Sequence, residues 1–434
     1  MNTKNDPSRR DFIRHSSILT AATALAAEIG FPSIMGGAAP GDKLKIGFVG
    51  CGGRGSGAAD EALTADANVE LYSMGDVFQD KLQSSLRNLK NRHADKINVP
   101  AERQFVGLDA YKKVIDSGVD VVLLATPPGF RPIHFKYAVE AGKHVFCEKP
   151  MATDAPGLRS VMESVEVARQ KNLAVVAGFC WRYDYARRDF FKRIHDGAIG
   201  DVRAVYSTYY TSPVKPMPPA SARQPEWSDV EWQLRNWYNF VWLCGDSLVE
   251  QAVHSVDKVA WTMRDEPPIK CVAVGGRQIP AQGGNIFDHF EVNYEYPNGV
   301  RAFLGCRQQA ECYGETRDYL IGTKGLGNIG GRRAPVEITG ESSWKYSGPT
   351  PNMYQVEHNE LFASIRAGKP INDGKRMCTS TMLALMGRMA AYSGQEVTWD
   401  QALNSKENLF PQHLTWTSAL EAPPLAMPGK TRFV

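Results

Sequence analysis

Three glycines at a fixed spacing are the first residues that suggest chemistry. Gly50, Gly52 and Gly55 follow a short apolar run and precede a helical pattern. In such a strand–turn–helix, backbone N–H groups at the helix N-terminus hold the pyrophosphate of a dinucleotide. Gly50 permits the tight turn, Gly52 the approach of the backbone to the pyrophosphate, and Gly55 close helix–strand packing. Gly53 and Arg54 complete the predicted cofactor-binding loop.

An acidic residue after the next apolar run indicates which dinucleotide binds. Asp76 follows the predicted second strand, 69–74. A carboxylate at this position accepts hydrogen bonds from the adenosine ribose and repels a 2′-phosphate. Because no arginine follows Asp76 directly, the pattern favours NAD over NADP. The alternative is that Asp76 is an ordinary loop acid.

Two later apolar runs also end in residues that could reach a ligand. One run ends at Thr126 and Pro127, and the next, 144–147, ends at Glu148 and Lys149. Strands alternate with helical stretches, which predicts a doubly wound parallel sheet. In such sheets ligands bind at the carboxyl ends of the strands. We therefore count these four residues among the cofactor-binding set.

A second group of ionisable residues follows a glycine-containing turn later in the chain. Glu250, His254 and Asp257 are spaced by four and three residues. On one helix this spacing places all three side chains on the same face. The face they share could carry acid–base chemistry. Alternatively, His254 is a hydrogen-bonded core histidine, and Asp257 is a structural cap or an ion-pair partner.

These motifs resemble those of the glucose–fructose oxidoreductase / inositol dehydrogenase / MocA family. The resemblance extends over roughly residues 43–400, and its most specific element is the tripeptide Glu148-Lys149-Pro150. The matching stretches are the glycine loop, 125–128, 141–150, 197–202 and 322–325. The resemblance implies an α/β protein in which a Rossmann domain precedes an α/β domain with a large, open, mostly antiparallel sheet.

The resemblance also implies a domain organisation. We predict an NAD-binding domain at 43–168, a substrate and oligomerisation domain at 169–400 and a C-terminal tail at 401–434. A leader at 1–39 is predicted separately, from the N-terminal pattern described below. A homo-oligomer built through the open sheet is expected from the same resemblance.

The family supplies expected roles for the ionisable residues. Lys149 is expected near the nicotinamide and the substrate, often after a cis bond to Pro150, and Arg182 matches an arginine near the nicotinamide. His254 corresponds to the general base, for which a histidine needs little tuning of its pKa. The first acid is usually aspartate. Glu250 replaces it here, and its role stays open between orienting His254, contacting a substrate hydroxyl and acting as acid or base.

Polar and aromatic residues nearby suit a sugar pocket. We predict that Arg235, Trp237, Asp257 and Asp288 bind the substrate, because aromatic faces stack on sugars and polar groups read hydroxyls. The Pro-rich segment 213–225 is predicted to be a pocket loop or a subunit contact. No metal is predicted. A metal site of Glu250, His254 and His289 is conceivable, but the family chemistry needs none.

Length, composition and charge limit the class of protein and the partners that it can have. The 434 residues suffice for two domains and a leader, and 43% apolar with 22% charged residues is typical of a soluble globular protein. A net charge of +3 without a basic stripe argues against a nucleic-acid partner. The eight cysteines include no CxxC pair, which argues against zinc-ribbon and thioredoxin functions.

The N-terminus contains a pattern typical of an export signal. Residues 8–14, with Arg9 and Arg10, match the twin-arginine export pattern, and the apolar stretch that follows is too short for a transmembrane helix. The alternative is an amphipathic basic helix. Export by the twin-arginine machinery to the periplasm predicts that the protein folds in the cytoplasm, where NAD is made.

Three functions remain open on the sequence. The first is an NAD-dependent oxidoreductase that acts on a sugar or polyol hydroxyl with a tightly bound, internally recycled cofactor. The second is a redox-neutral glycosidase, which oxidises a hydroxyl, eliminates the aglycone, adds water and reduces again. The third is a non-catalytic NAD-binding protein, which the presence of both Lys149 and His254 disfavours.

Overall fold

The computed structural model describes residues 42–279, 283–331 and 335–432. The predicted leader, with the twin-arginine pattern at 8–14, lies outside the described residues. In the described ranges no helix combines the length and apolarity that a membrane span requires.

A six-stranded parallel sheet forms the N-terminal half, in the order β3-β2-β1-β4-β5-β6. Its strands are β1 Leu44–Val49, β2 Val69–Asp76, β3 Gln104–Val106, β4 Val121–Leu124, β5 His144–Cys147 and β6 Val175–Ala177. Its helices are α1 Gly53–Ala65, α2 Gln79–Arg92, α3 Ala110–Asp116, α4 Arg131–Glu140 and α5 Ala155–Gln170. This is the predicted doubly wound Rossmann arrangement.

Strand β4 illustrates why the sheet is buried on both faces. All four of its residues are apolar and buried. Val121 and Leu123 pack with residues of α1 and α2, whereas Val122 and Leu124 pack with residues of α4 and α5. A continuous apolar run is what a strand covered on both sides requires.

A nine-stranded sheet forms the second half, in the order β14-β13-β12-β11-β7-β10-β9-β8-β15. Its strands are β7 Val202–Thr211, β8 Lys270–Gly276, β9 His289–Glu295, β10 Arg301–Gln308, β11 Asp318–Gly322, β12 Gly325–Ile329, β13 Val336–Gly340, β14 Trp344–Lys345 and β15 Val397–Thr398. Only β7 and β10 pair in parallel among these strands. The expected large, mostly antiparallel sheet is confirmed.

The helices of this half are α6 Tyr185–His195, α7 Asp229–Arg235, α8 Val241–Cys244, α9 Ser247–Glu250, α10 Val253–Thr262, α11 Met353–Arg366, α12 Gly374–Ser393 and α13 Trp399–Asn404. The long helix α12 is buried along nearly its whole length and packs against β8, α10 and α5. It therefore joins the two sheets.

The two halves interlock more than a single boundary implies. Strand β6 hydrogen-bonds to β5 although it lies beyond the predicted limit of the NAD-binding domain at residue 168. Helix α11 returns late in the chain to pack against α1, with Leu361 and Phe362 in the core of the first half. Such returns bury apolar surface that a strictly consecutive domain would leave exposed.

Candidate active site

The glycine loop has the geometry that its spacing predicts. Gly50 has φ +97, and a Cβ there would lie 2.6 Å from the carbonyl carbon of Ala125. A Cβ at Gly55 would lie 2.0 Å from the Gly50 carbonyl oxygen. By contrast, a Cβ at Gly52 or Gly53 would meet nothing within 4 Å. The first pair packs the loop, and the second pair leaves open space at the N-terminus of α1 that suits a diphosphate.

Asp76 ties the end of β2 to this loop. Its Oδ2 accepts a hydrogen bond from Cys51 N at 2.6 Å, and its Oδ1 accepts one from Phe78 N at 2.8 Å. Burial raises the pKa of Asp76. Each carboxylate oxygen keeps a second lone pair, so the side chain can also accept from ribose hydroxyls.

A cleft of about 1320 Å³ runs along this edge of the parallel sheet. Gly52, Asp76, Thr126 and Pro127 are among its lining residues. This volume exceeds the 300–1,000 Å³ common for small-ligand pockets, as an extended dinucleotide requires. The chain therefore has a groove whose shape, glycines and acid fit NAD.

Lys149 lies at the end of β5, one strand beyond Thr126, and its peptide bond to Pro150 is cis. Its Nζ contacts Glu250 Oε1 at 2.9 Å and also donates to the Glu250 backbone carbonyl. The two side chains are only 9% and 6% exposed. A buried, hydrogen-bonded lysine is fixed in place and ready to donate to a reacting oxygen.

Glu250 is held from its other side as well. Gln251 Nε2 donates to Glu250 Oε2, and Tyr209 OH donates to Gln251 Oε1 at 3.1 Å. The chain of contacts runs from a strand of the large sheet to the lysine at the end of β5. Glu250 is therefore a fixed carboxylate between the two sheets.

His254 stands on α10 with its ring stacked on Trp181, with ring centroids 5.6 Å apart. Burial lowers the pKa of His254 well below its usual value, and the charges of Lys149 and Lys258 lower it further. The expectation that His254 keeps a pKa close to that of an ordinary histidine is thus wrong. A neutral imidazole is nevertheless the form that can accept a proton.

The predicted single helix is broken between these residues. Helix α9 ends at Glu250, residues 251 and 252 form a turn, and α10 begins at Val253. Lys149 and Glu250 are in direct contact, and the charge of Lys149 acts on His254. They do not line the main cleft. Trp237 does line the cleft, and its ring stacks on that of Tyr238 with ring centroids 3.8 Å apart. Burial, and then the charge of Glu250, raises the pKa of Tyr238.

Arg182 and Asp257 pair with each other. Arg182 Nε lies 3.0 Å from both Asp257 carboxylate oxygens, and Arg182 Nη2 also contacts Asp265 at 2.5 Å. Ser380 donates to Asp257 at 2.7 Å. Both partners are almost wholly buried, so the structure places them in an ion-pair network instead of on the cleft.

The other predicted site residues lie in two places. Asp288 accepts hydrogen bonds from Gln278 N and Ile279 N at 2.9 and 2.7 Å, which ties the two residues to the start of β9, and His289 pairs with Asp288 at 2.8 Å. No group of His, Cys, Asp and Glu suited to a metal occurs in the described ranges. Arg235 lines the main cleft together with the glycines.

Arg54 and Glu148 contact each other across the loop. Arg54 Nε lies 2.8 Å from Glu148 Oε1, and the guanidinium also reaches Glu61. The charge of Glu148 raises the pKa of Arg54 against the effect of burial. This pair links the glycine loop to the residue that precedes Lys149.

Sequence reasoning missed three supporting residues. Tyr209 and Gln251 hold Glu250, and buried Arg131 donates to the Leu124 carbonyl at 2.8 Å and the Pro150 carbonyl at 3.3 Å. An arginine at the first position of the helix that follows β4 was the available signal for Arg131. Nothing in the sequence brings Tyr209 near Glu250, because they lie on separate elements.

A dinucleotide cleft beside a buried lysine, carboxylate and histidine defines a two-domain NAD-dependent oxidoreductase. The chain belongs to the Gfo/Idh/MocA family. Residues 44–179 match the model of the oxidoreductase family with an NAD-binding Rossmann fold, and residues 188–326 match that of the GFO/IDH/MocA C-terminal domain.

Relatives support this assignment. The chain is similar to inositol 2-dehydrogenase of Salmonella typhimurium, with 29% identity over 338 residues, 75% of this chain and 87% of the relative. Among solved structures, aldose-aldose oxidoreductase from Caulobacter crescentus in complex with glycerol has a TM-score of 0.65 at 20% identity, covering 82% of this chain and 99% of that one. Levoglucosan dehydrogenase with NADH and levoglucosan has a TM-score of 0.66 at 18% identity, covering 82% and 100%.

Proposed function

We propose that the protein oxidises a hydroxyl of a sugar or polyol and that its NAD stays bound and is recycled internally. The observation that carries this proposal is the Lys149–Glu250 pair, whose lysine charge also acts on His254, at the end of β5. Strand β5 pairs with β4, and Thr126 after β4 lines the NAD groove. The relatives named above act on inositol and levoglucosan, which are polyhydroxylated rings. Because those substrates carry hydroxyls on ring carbons, we propose that the group oxidised by this protein is a secondary hydroxyl.

The proposed roles follow from the contacts of each side chain. Neutral His254 accepts the hydroxyl proton, because its lowered pKa leaves the imidazole unprotonated at neutral pH. Lys149 donates a hydrogen bond to the same oxygen and stabilises its developing charge. Glu250 holds Lys149 in position. NAD, when bound, supplies the acceptor for the hydride.

Internal recycling is proposed from the predicted export. In the periplasm a released NADH could not be exchanged for fresh NAD, so the hydride must return to a second carbonyl compound or to the same sugar. Replacing Arg9 and Arg10 with lysine keeps the charge but removes the twin-arginine pattern. We expect the double variant to remain in the cytoplasm. Continued accumulation in the periplasm contradicts the export proposal.

The experiment mixes the purified holoprotein, without added NAD, with panels of sugars, polyols and glycosides. Absorbance reports NADH, and chromatography identifies products. Paired oxidation of one sugar and reduction of another, with no more than one NADH formed per site, supports the proposal. Cleavage of a glycoside instead identifies the redox-neutral glycosidase. In a parallel reaction with added NAD, steady reduction of that NAD over many turnovers contradicts internal recycling.

A further inference from the structure

The cofactor groove has a second wall that does not come from the parallel sheet. Lys215, Pro218 and Trp227 line the same cleft as Asp76. These residues belong to the segment between β7 and α7, and the tail after α13 packs beside them. We call residues 213–235 together with 409–422 the cover.

The cover has a small apolar core of its own. Val230, Leu234 and Trp242 are buried together with Phe130, which follows β4. The partly buried apolar residues packed against this core come from three parts of the chain: Val77, Phe78 and Leu108; Met217, Trp232 and Trp237; and Leu409, Phe410, Leu414, Trp416, Leu420 and Ala422. The cover is therefore a packed structure joined to the first half of the molecule.

Phe78 is the point at which the cover meets the NAD-binding half. It lies two residues after Asp76, and the guanidinium carbon of Arg235 lies 4.1 Å from its ring centroid. Trp416 of the tail packs against the same ring in a tilted arrangement, with ring centroids 6.0 Å apart. Arg235 also approaches Asp80 at 3.8 Å.

Polar contacts tie the parts of the cover together. Arg235 is held by Glu231 at 2.8 Å. The tail is fastened to α7 because Leu420 N donates to Asp229 at 3.3 Å and Gln233 Nε2 donates to the Leu420 carbonyl. The tail and α7 are therefore connected by hydrogen bonds as well as by apolar packing.

We infer that the cover completes the binding site for the adenosine half of the dinucleotide and sets the rate at which the cofactor leaves. The Asp76 end of such a groove is where an adenosine ribose binds. Arg235, predicted from the sequence to bind substrate, instead belongs to the cofactor site. The inference rests on the proposed function, since a retained cofactor is what the cover explains.

The test measures release of NADH directly. The protein is loaded with NADH and mixed with excess NAD, and the loss of bound NADH fluorescence gives the rate constant. Arg235→Ala and Trp416→Ala each remove one of the two contacts on Phe78. We expect release about tenfold faster in each, as loss of one partly desolvated cation–π or aromatic contact implies. Arg235→Lys keeps the charge without the planar stack and should be intermediate.

Matched controls are an arginine and an apolar tail residue outside the cover. Arg169→Ala removes an exposed i,i+3 ion pair on α5, and Met427→Ala removes an exposed side chain. Both should release NADH at the wild-type rate. Melting temperatures verify that each variant is folded. If Arg235→Ala does not fold, Arg235→Lys replaces it in the test.

The outcomes separate the two proposals. Faster release in the cover variants and not in the controls supports the inference. Equal release rates in cover variants and wild type overturn it, while slow release in all of them leaves the proposed function intact. A wild-type protein that binds no nucleotide overturns the proposed function and the cover inference with it.

Discussion

Lys149 and Glu250 form an ion pair that solvent barely reaches. Buried charges are costly unless they are paired and hydrogen-bonded, and removal of one partner leaves the other uncompensated. Here Gln251 donates a second hydrogen bond to Glu250, and Lys149 also donates to a backbone carbonyl, which leaves one ammonium N–H for a reacting oxygen. Such a pair keeps the lysine ammonium at a fixed point, which is what stabilisation of a developing charge requires.

Replacement of Lys149 or His254 with alanine tests the proton-transfer roles. We expect each to slow the hydride step by about 10²-fold or more, as loss of a positioned acid–base group does. The measurement is single-turnover formation of bound NADH. Because the pKa of His254 is lowered, kcat/KM in the wild type should stay constant as pH falls through 6.5 and decline only below it. A near-normal rate in His254→Ala removes this residue as the base.

Two substitutions at Glu250 separate charge from length. Glu250→Asp keeps the negative charge opposite Lys149 but shortens the side chain by one methylene, whereas Glu250→Gln keeps the length and removes the charge. We expect the aspartate variant to retain more kcat than the glutamine variant, since the ion pair holds Lys149. Greater activity in Glu250→Gln would show that position, and not charge, is what Glu250 supplies.

At the scale of elements, the turn before α9 determines how the site is assembled. Gly245 and Asp246 both have positive φ, at +80 and +97. The Asp246 carboxylate accepts from Phe287 N at 2.8 Å and from Tyr392 OH, and burial raises its pKa to about 6. This anchored turn fixes the start of α9, whose last residue is Glu250, and a separate turn at 251–252 leads into α10, which carries His254.

Strand β2 gives a prediction at the same scale. Asp76→Ala removes the carboxylate that joins the glycine loop to the end of β2. We expect weaker NAD binding and a smaller preference for NAD over NADP, because the repulsion of a 2′-phosphate is lost. Binding titrations with NAD and with NADP measure both the affinity and the preference. An unchanged preference would show that Asp76 does not contact the ribose.

Local patterns predicted the elements that carry the cofactor. The glycine loop, Asp76 and Lys149 sit at strand ends, and strand ends are visible in the sequence as apolar runs followed by polar residues. Contacts between distant segments were not visible in this way. The pairing of Arg182 with Asp257 and the placement of Arg235 on Phe78 depend on how helices pack, which periodicity does not encode.

At the scale of the whole molecule, one face of the nine-stranded sheet has no covering helix among the described residues. Tyr206, Val272, Val274, Ile321 and Leu326 are exposed large hydrophobic residues on its strands. Apolar groups grouped on one sheet face commonly mark a protein–protein interface. This agrees with the proposal, made from the sequence, of a homo-oligomer built through the open sheet.

The interface proposal predicts the effect of a charge on that face. Val274→Lys places an ammonium in the centre of an apolar contact, where an unpaired charge is strongly disfavoured. We expect a shift towards monomer in sedimentation experiments, with a normal melting profile. Lys324→Ala, an exposed change beyond the end of β11, is the control. An unchanged oligomeric state in Val274→Lys excludes this face as the interface.

Transfer of a labelled hydride tests the central claim most directly. The holoprotein is given a sugar or polyol substrate, deuterated at the carbon that bears the reacting hydroxyl, and is denatured after the oxidation step, before the hydride is returned from the cofactor. Mass spectrometry of the released nucleotide then reports whether deuterium has moved to the cofactor. We predict deuterated NADH in the wild type and almost none in His254→Ala. Turnover of the substrate with no deuterium on the nucleotide at any time would contradict an NAD-dependent oxidation at this site.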